Sequence, residues 1–213
     1  DRTVVETLDA LIERRRAFLV DYQDEALAAR YSALVDRVRE TESGLGDDTV
    51  LTTAVAKAYF RLLSYKDEYE VARLHTQSGL LQRVRDDFGK RAKLRFHLAP
   101  PLLGGKLDAR GRPSKREFGA WVLPLFRVLA KLRGLRGTAF DIFGYTADRR
   151  LERQLIVEFE ETVARVLETL NTANHVQCVG AIAEYLEIRG YGPVKEAAAT
   201  EARENISAIL AEL

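Results

Sequence analysis

The chain has no methionine, one cysteine (Cys178), one tryptophan (Trp121), three histidines and five prolines in 213 residues. Each shortage excludes something. A single thiol cannot close an internal disulfide, so the fold is expected to stand without an oxidising compartment. It is also too few for a structural zinc site or an iron–sulfur cluster, which gather several thiolates or imidazoles. His75, His97 and His175 fall on separate elements, with no second histidine three or four residues away. No apolar run approaches the roughly 18 residues of a membrane span. The start, Asp1 to Thr7, is neither basic nor followed by a signal-peptide hydrophobic region. Together these absences predict a cytoplasmic protein with no membrane partner, and the missing methionine predicts a piece of a longer chain.

What is present is charge, unevenly spread. Lysine and arginine (33) nearly balance aspartate and glutamate (32), for a net charge of +1. Yet from Arg91 to Arg136 twelve lysines and arginines meet only Asp108 and Glu117. That stretch should draw anions or acidic surfaces.

Periodicity is mostly helical. Val4, Leu8, Leu11, Phe18 and Tyr22 keep three- and four-residue spacing, and Leu27, Tyr31, Leu34 and Val38 resume it out of phase near Asp24. The first forty residues are thus read as one long helix, in which the slip predicts a bend or a new packing partner. After the loop Ser43–Asp48, with Asp48 or Thr49 as a cap, one helix is predicted from Val50 to Thr76 and a short one through Leu80–Phe88. Lys93 to Leu98 alternates with period two, the pattern of a half-buried strand ended by Pro100-Pro101. A helix is predicted from Ser114 to Arg133, with Phe118, Trp121, Leu125, Leu129 and Leu132 on one side and Pro124 kinking or dividing it. Thr146 should cap a helix to Leu170, and two more follow, separated by Arg189-Gly190-Tyr191-Gly192-Pro193. The expectation is a mainly α, multi-helix single domain over residues 1–213, with one short strand or small β-hairpin around residues 93–98.

No catalytic residue stands out. Cys178 sits in an apolar helical stripe near Val176 and Val179, where buried thiols are inert, although His175 lies three residues away. Tyr65-Lys66-Asp67-Glu68-Tyr69-Glu70 offers carboxylates, but its spacing predicts a solvated ion-pair face with the tyrosines turned inward. The phosphate-cradling Gly-x-x-x-x-Gly-Lys-Ser/Thr loop is missing. Arg110-Gly111-Arg112-Pro113 matches the core of an AT-hook, so a nucleic-acid-binding module using the Arg110–Arg116 turn is one reading. The milder reading takes Lys93, Arg95 and His97 on one strand face. With Arg112, Lys115 and Arg116 after the turn, they would form an anion- or partner-binding surface.

The wording of several blocks carries further information. Tyr65-Lys66-Asp67-Glu68-Tyr69-Glu70-Val71-Ala72-Arg73-Leu74 and Phe96-His97-Leu98-Ala99-Pro100-Pro101-Leu102-Leu103 come first. Gly111 to Gly119, Leu135 to Thr138, Phe143 to Ala147 and Ile188 to Lys195 follow in order. This series resembles the C-terminal region of the fused indolepyruvate ferredoxin oxidoreductases, members of the 2-oxoacid:ferredoxin oxidoreductases. The resemblance implies a parent that oxidatively decarboxylates aryl-2-oxo acids. It would use thiamine diphosphate, magnesium and iron–sulfur clusters, take coenzyme A as substrate and pass electrons to ferredoxin. No Gly-Asp-Gly start of a thiamine-diphosphate motif and no cysteine set occurs here, so none of the family's catalytic residues maps onto this sequence. The implied role is a non-catalytic accessory domain that binds no cofactor of its own. It would dock on the upstream catalytic domains or promote assembly, including with a second copy.

Overall fold

The computed structural model describes residues 6–77, 79–89, 93–98 and 114–213. These residues are mainly α, with nine α-helices and one two-stranded antiparallel hairpin among them. The chain divides into two compact units, Asp1–Tyr65 with Thr146–Leu213, and Lys66–Tyr145. The expected single helical domain is thus built on two units, the second inserted in sequence within the first.

The first unit holds α1 (Leu8–Tyr22), α2 (Glu25–Ser43), α3 (Val50–Leu63), α7 (Ala147–Thr169), α8 (His175–Glu184) and α9 (Pro193–Ala211). The one long helix expected over the first forty residues is two: Asp24 leaves helical geometry and its carboxylate accepts from the Leu27 N–H at 2.8 Å, starting α2 afresh. Thr146 caps α7 as expected, accepting from the Arg149 N–H at 3.4 Å. The core runs through Leu19, Tyr31, Val35, Leu51, Tyr59, Leu155, Phe159 and Ile182. Tyr59 stacks on Tyr31 (6.1 Å) and Phe159 (5.4 Å), and Phe159 meets Tyr185 edge-on at 4.9 Å. Such pairs add about 0.5–1.5 kcal/mol each beyond burial.

Every hydroxyl in that aromatic row finds a partner, as burial demands. Tyr22 donates to the Tyr65 carbonyl at 2.7 Å, Tyr31 to the Ala56 carbonyl at 3.2 Å, Tyr59 to Glu160, and Tyr185 pairs with Thr162 at 2.9 Å. Burial and the Glu160 contact push the Tyr59 hydroxyl far above its ordinary pKa, so it remains a donor.

The start of α3 uses an unforeseen cap. Thr49 makes no side-chain capping bond. Instead the buried Glu42 carboxylate, at the end of α2, accepts from the N–H groups of Leu51 (2.7 Å) and Thr52 (2.8 Å) and from the Thr52 hydroxyl (2.5 Å). His175 Nε2, in the first turn of α8, lies 2.8 Å from its other face. One side chain thereby joins three helices. At the turn into α9, Gly190 has φ +97°, and a Cβ there would lie 2.8 Å from Val194 Cγ1. No side chain fits that position without strain.

The second unit holds α4 (Glu68–Gln77), α5 (Leu80–Phe88), β1 (Arg95–Leu98), β2 (Arg116–Gly119) and α6 (Leu123–Lys131), with 3₁₀ turns at Ala120–Val122 and Leu132–Leu135. The helix predicted from Val50 to Thr76 is split, because Asp67 restarts the backbone as the N-cap of α4, accepting from the Glu70 N–H at 2.8 Å. The first residues of the helix predicted from Ser114 are a strand, since Arg116–Gly119 pair with Arg95–Leu98. Pro124 therefore stands in the first turn of α6, where its missing N–H costs nothing, and the predicted helix is divided just before it rather than kinked at it.

Burial raises the pKa of Glu42, but the hydrogen bonds from Thr52, His175 and the backbone outweigh it and hold the carboxyl below the usual range. With the folded pKa depressed, this contribution is fully present above the ordinary glutamate value of about 4.3 and is lost as pH falls through the folded pKa. Glu42→Gln is expected to cost roughly 1–3 kcal/mol at pH 7. Its difference from the unmodified chain should shrink below about pH 4.3. Chemical denaturation across a pH series measures both.

Candidate functional site

The hairpin places the strand residues of the basic run. In its register Phe96 faces Phe118, His97 faces Glu117 and Leu98 faces Arg116. Alternation puts Arg95, His97 and Glu117 on one face, and Phe96, Leu98, Arg116 and Phe118 on the other. Arg95 is held by Glu117 at 2.8 Å, an exposed pair worth about 0–1 kcal/mol. Lys93 and Lys115 are exposed just outside the strands. Arg110 and Arg112 lie outside the described residues. The strand members of the expected anion surface are thus divided between two faces rather than gathered on one.

The inner face of the hairpin builds a second apolar cluster. Phe96 packs with Ala72 of α4 and with Val122, Leu123, Phe126 and Ala130 along α6. His75 is stacked on Phe126 (5.4 Å) and meets Phe96 edge-on (5.2 Å), and its buried Nδ1 has no hydrogen-bond partner. Burial, with Lys66 nearby, lowers the imidazole pKa, so the ring behaves as a neutral aromatic.

Val122, Leu123, Phe126 and Ala130, along α6 and the 3₁₀ turn before it, occupy the inner side, and most of the predicted stripe faces out. Trp121 is 68% exposed, Leu125 52%, Val128 54% and Leu132 41%. Of the residues expected along one side, Leu129 and Phe118 are partly buried against the cluster. Four large apolar groups at helical spacing form one continuous exposed stripe, the feature that marks interaction sites rather than a resting surface. The loop after α6 also exposes Phe140, Ile142 and Tyr145.

A buried charge knot fixes the backbone behind this stripe. Arg136 donates from Nε to Asp67 Oδ2 at 2.5 Å and from Nη2 to Asp67 Oδ1 at 3.0 Å, with both side chains only 3% exposed. Its guanidinium also lies over the Tyr69 ring at 5.6 Å. The Tyr69 hydroxyl donates to Asp141 Oδ1 at 3.2 Å, and burial together with Asp141 raises its pKa. Asp141 further accepts from the N–H groups of Gly137 (2.9 Å), Phe143 (3.2 Å) and Gly144 (3.1 Å). Glu70 and Arg73, also turned inward, pair at 2.7 Å. The solvated ion-pair face expected for this segment is therefore buried at Asp67 and Glu70, while Tyr65 and Tyr69 point inward as foreseen. The sequence reading missed Arg136 and Asp141. The available signal was a lone acid between Phe140 and Ile142-Phe143, three residues before a glycine, the pattern of a carboxylate folding back on loop N–H groups.

The remaining candidate chemistry stays inside the first unit. Burial pushes the Cys178 thiol up, and its Sγ faces Asn174 Oδ1 at 3.7 Å. The nearby His175 pairs with Glu42 instead. Among the described residues no three histidine, cysteine, aspartate or glutamate side chains are grouped to hold a metal ion. No described helix is long and apolar enough to cross a membrane. A parent's iron–sulfur cluster does not fit this donor set, because the single thiol is buried in α8.

A family of unknown function (DUF6537) matches residues 8–208, and the chain belongs to it. No curated protein and no solved structure matches the chain.

Arg136→Met leaves the Asp67 carboxylate buried without its cation and is expected to cost about 3–5 kcal/mol. Adding Asp67→Asn, which keeps the cap of α4, should recover most of that loss; urea titration of the single and double variants measures it. For His75 the folded pKa is depressed, so stability is complete above about pH 6.5 and falls as pH drops from there through the folded value. His75→Phe keeps the ring stack and should abolish that part of the slope in melting curves taken between pH 7.5 and the acid limb, roughly from pH 6.5 downward.

Proposed function

We propose that this DUF6537 member is a non-catalytic assembly domain of an indolepyruvate-type 2-oxoacid:ferredoxin oxidoreductase. It docks on the parent's catalytic domains through the outer face of α6. The observation that carries the docking role is the exposed stripe of Trp121, Leu125, Val128 and Leu132, displayed on a helix whose inner side is fully committed to its own cluster. The ordered blocks from Tyr65 to Lys195 carry the choice of parent. Thiamine diphosphate, magnesium, the iron–sulfur clusters and coenzyme A belong to the upstream domains in this reading, and ferredoxin is the parent's electron acceptor.

Leu125→Glu/Val128→Glu places two charges in the stripe. Both positions are exposed, so stability should change by no more than about 0.5 kcal/mol per site. The expected result is that the chain binds the catalytic region encoded upstream in its own reading frame, and that this variant loses about 2 kcal/mol or more of that binding. Isothermal titration with the two purified pieces measures it. Oxidoreductase turnover by the isolated chain, or binding untouched by the substitutions, would refute the reading.

A further inference from the structure

We infer that the segment seated on the α6 stripe is an apolar helix edged by aspartate or glutamate, with its acidic edge against Arg127 and Lys131. This rests on the docking role proposed above and specifies the chemistry of the occupant.

The stripe has two unlike borders. Residues four apart share a side of a helix, so Arg127 and Lys131 line one border of Trp121-Leu125-Val128-Leu132. The other border turns through Leu129 toward the apolar cluster. Both cations are exposed, and neither has an ion-pair partner among the described residues. Arg95, Arg73 and Arg136 of the same unit are neutralised by Glu117, Glu70 and Asp67. The charge of Arg127 and Lys131 lies directly beside the apolar surface, where a partner's carboxylates would meet it and steer its approach.

Size and symmetry narrow the occupant further. A standard interface places about 20–30 residues on each side, far more than one helical stripe, which suits a single amphipathic helix. A second copy fits poorly. Antiparallel two-fold pairing of α6 sets like flank against like flank, bringing Arg127 and Lys131 against their own counterparts.

Two synthetic amphipathic peptides of about 18 residues serve as probes, with the same leucine stripe and either glutamate or lysine along one edge. The unmodified chain, Arg127→Glu/Lys131→Glu and Leu125→Glu/Val128→Glu are each titrated with both across a salt series. The glutamate-edged peptide should bind the unmodified chain about tenfold tighter than the lysine-edged one, with the difference shrinking as salt screens it. Charge reversal should invert the preference, and the stripe variant should bind neither peptide. Equal binding of both peptides, preference for lysine, or no binding of either overturns the inference. So does a dimer of the chain alone, seen by sedimentation and lost in Leu125→Glu/Val128→Glu. If the peptides behave as expected but the parent's catalytic region does not bind, the choice of parent fails and the acidic-edge assignment stands.

Discussion

The second unit depends on the ion pair between Asp67 and Arg136. Two charges removed from water carry a large desolvation cost, recovered only when geometry is good and the remaining polar atoms are satisfied. Here both conditions hold. Asp67 receives two guanidinium N–H groups and also caps α4, while the same guanidinium covers the Tyr69 ring. Tyr69 passes the constraint to Asp141, whose carboxylate gathers three N–H groups of the following loop. A start of helix, an aromatic ring and the loop from Gly137 to Gly144 are thus fixed by one chain of contacts. Removing any member leaves a buried polar group without its partner.

The same economy appears in the first unit with a different residue. Glu42 does at the α2–α3 junction what a serine or aspartate at the N-cap would do, but from nine residues away in sequence. Its remaining oxygen capacity takes His175 from α8. Caps supplied at long range join helices as well as starting them, so these carboxylates contribute both secondary and tertiary structure. Neither site resembles a reaction centre, because every described acceptor in it is already occupied by the protein's own donors.

Functional interest therefore moves to the surface, where α6 breaks the ordinary rule. A helix packed on one side usually turns polar groups outward. Along α6 and the 3₁₀ turns at its two ends, the outward side carries Trp121, Leu125, Val128 and Leu132, and the inward side carries Val122, Leu123, Phe126 and Ala130. Such a helix is apolar on nearly all sides, so its hydrophobic period could not say which side would be buried. The hairpin decided it: Phe96 reaches the Phe126 side of the helix, and the tryptophan remains outside.

The amino-acid sequence by itself determined the helical character, a change of phase near Asp24, the cap at Thr146 and the strand near residue 96. These are local properties, legible from spacing and from the donors and acceptors of single side chains. Only the tertiary structure decided that Val50 to Thr76 is two helices, that Arg116–Gly119 is the partner strand, that Asp67 and Glu70 are buried, and which face of α6 remains bare. Each of those outcomes depends on a partner distant in sequence: Arg136 for Asp67, Arg95–Leu98 for the second strand, and Phe96 with Ala72 for α6. Burial of a charge or choice of a face is a property of the pair, and periodicity along one segment carries no record of the other.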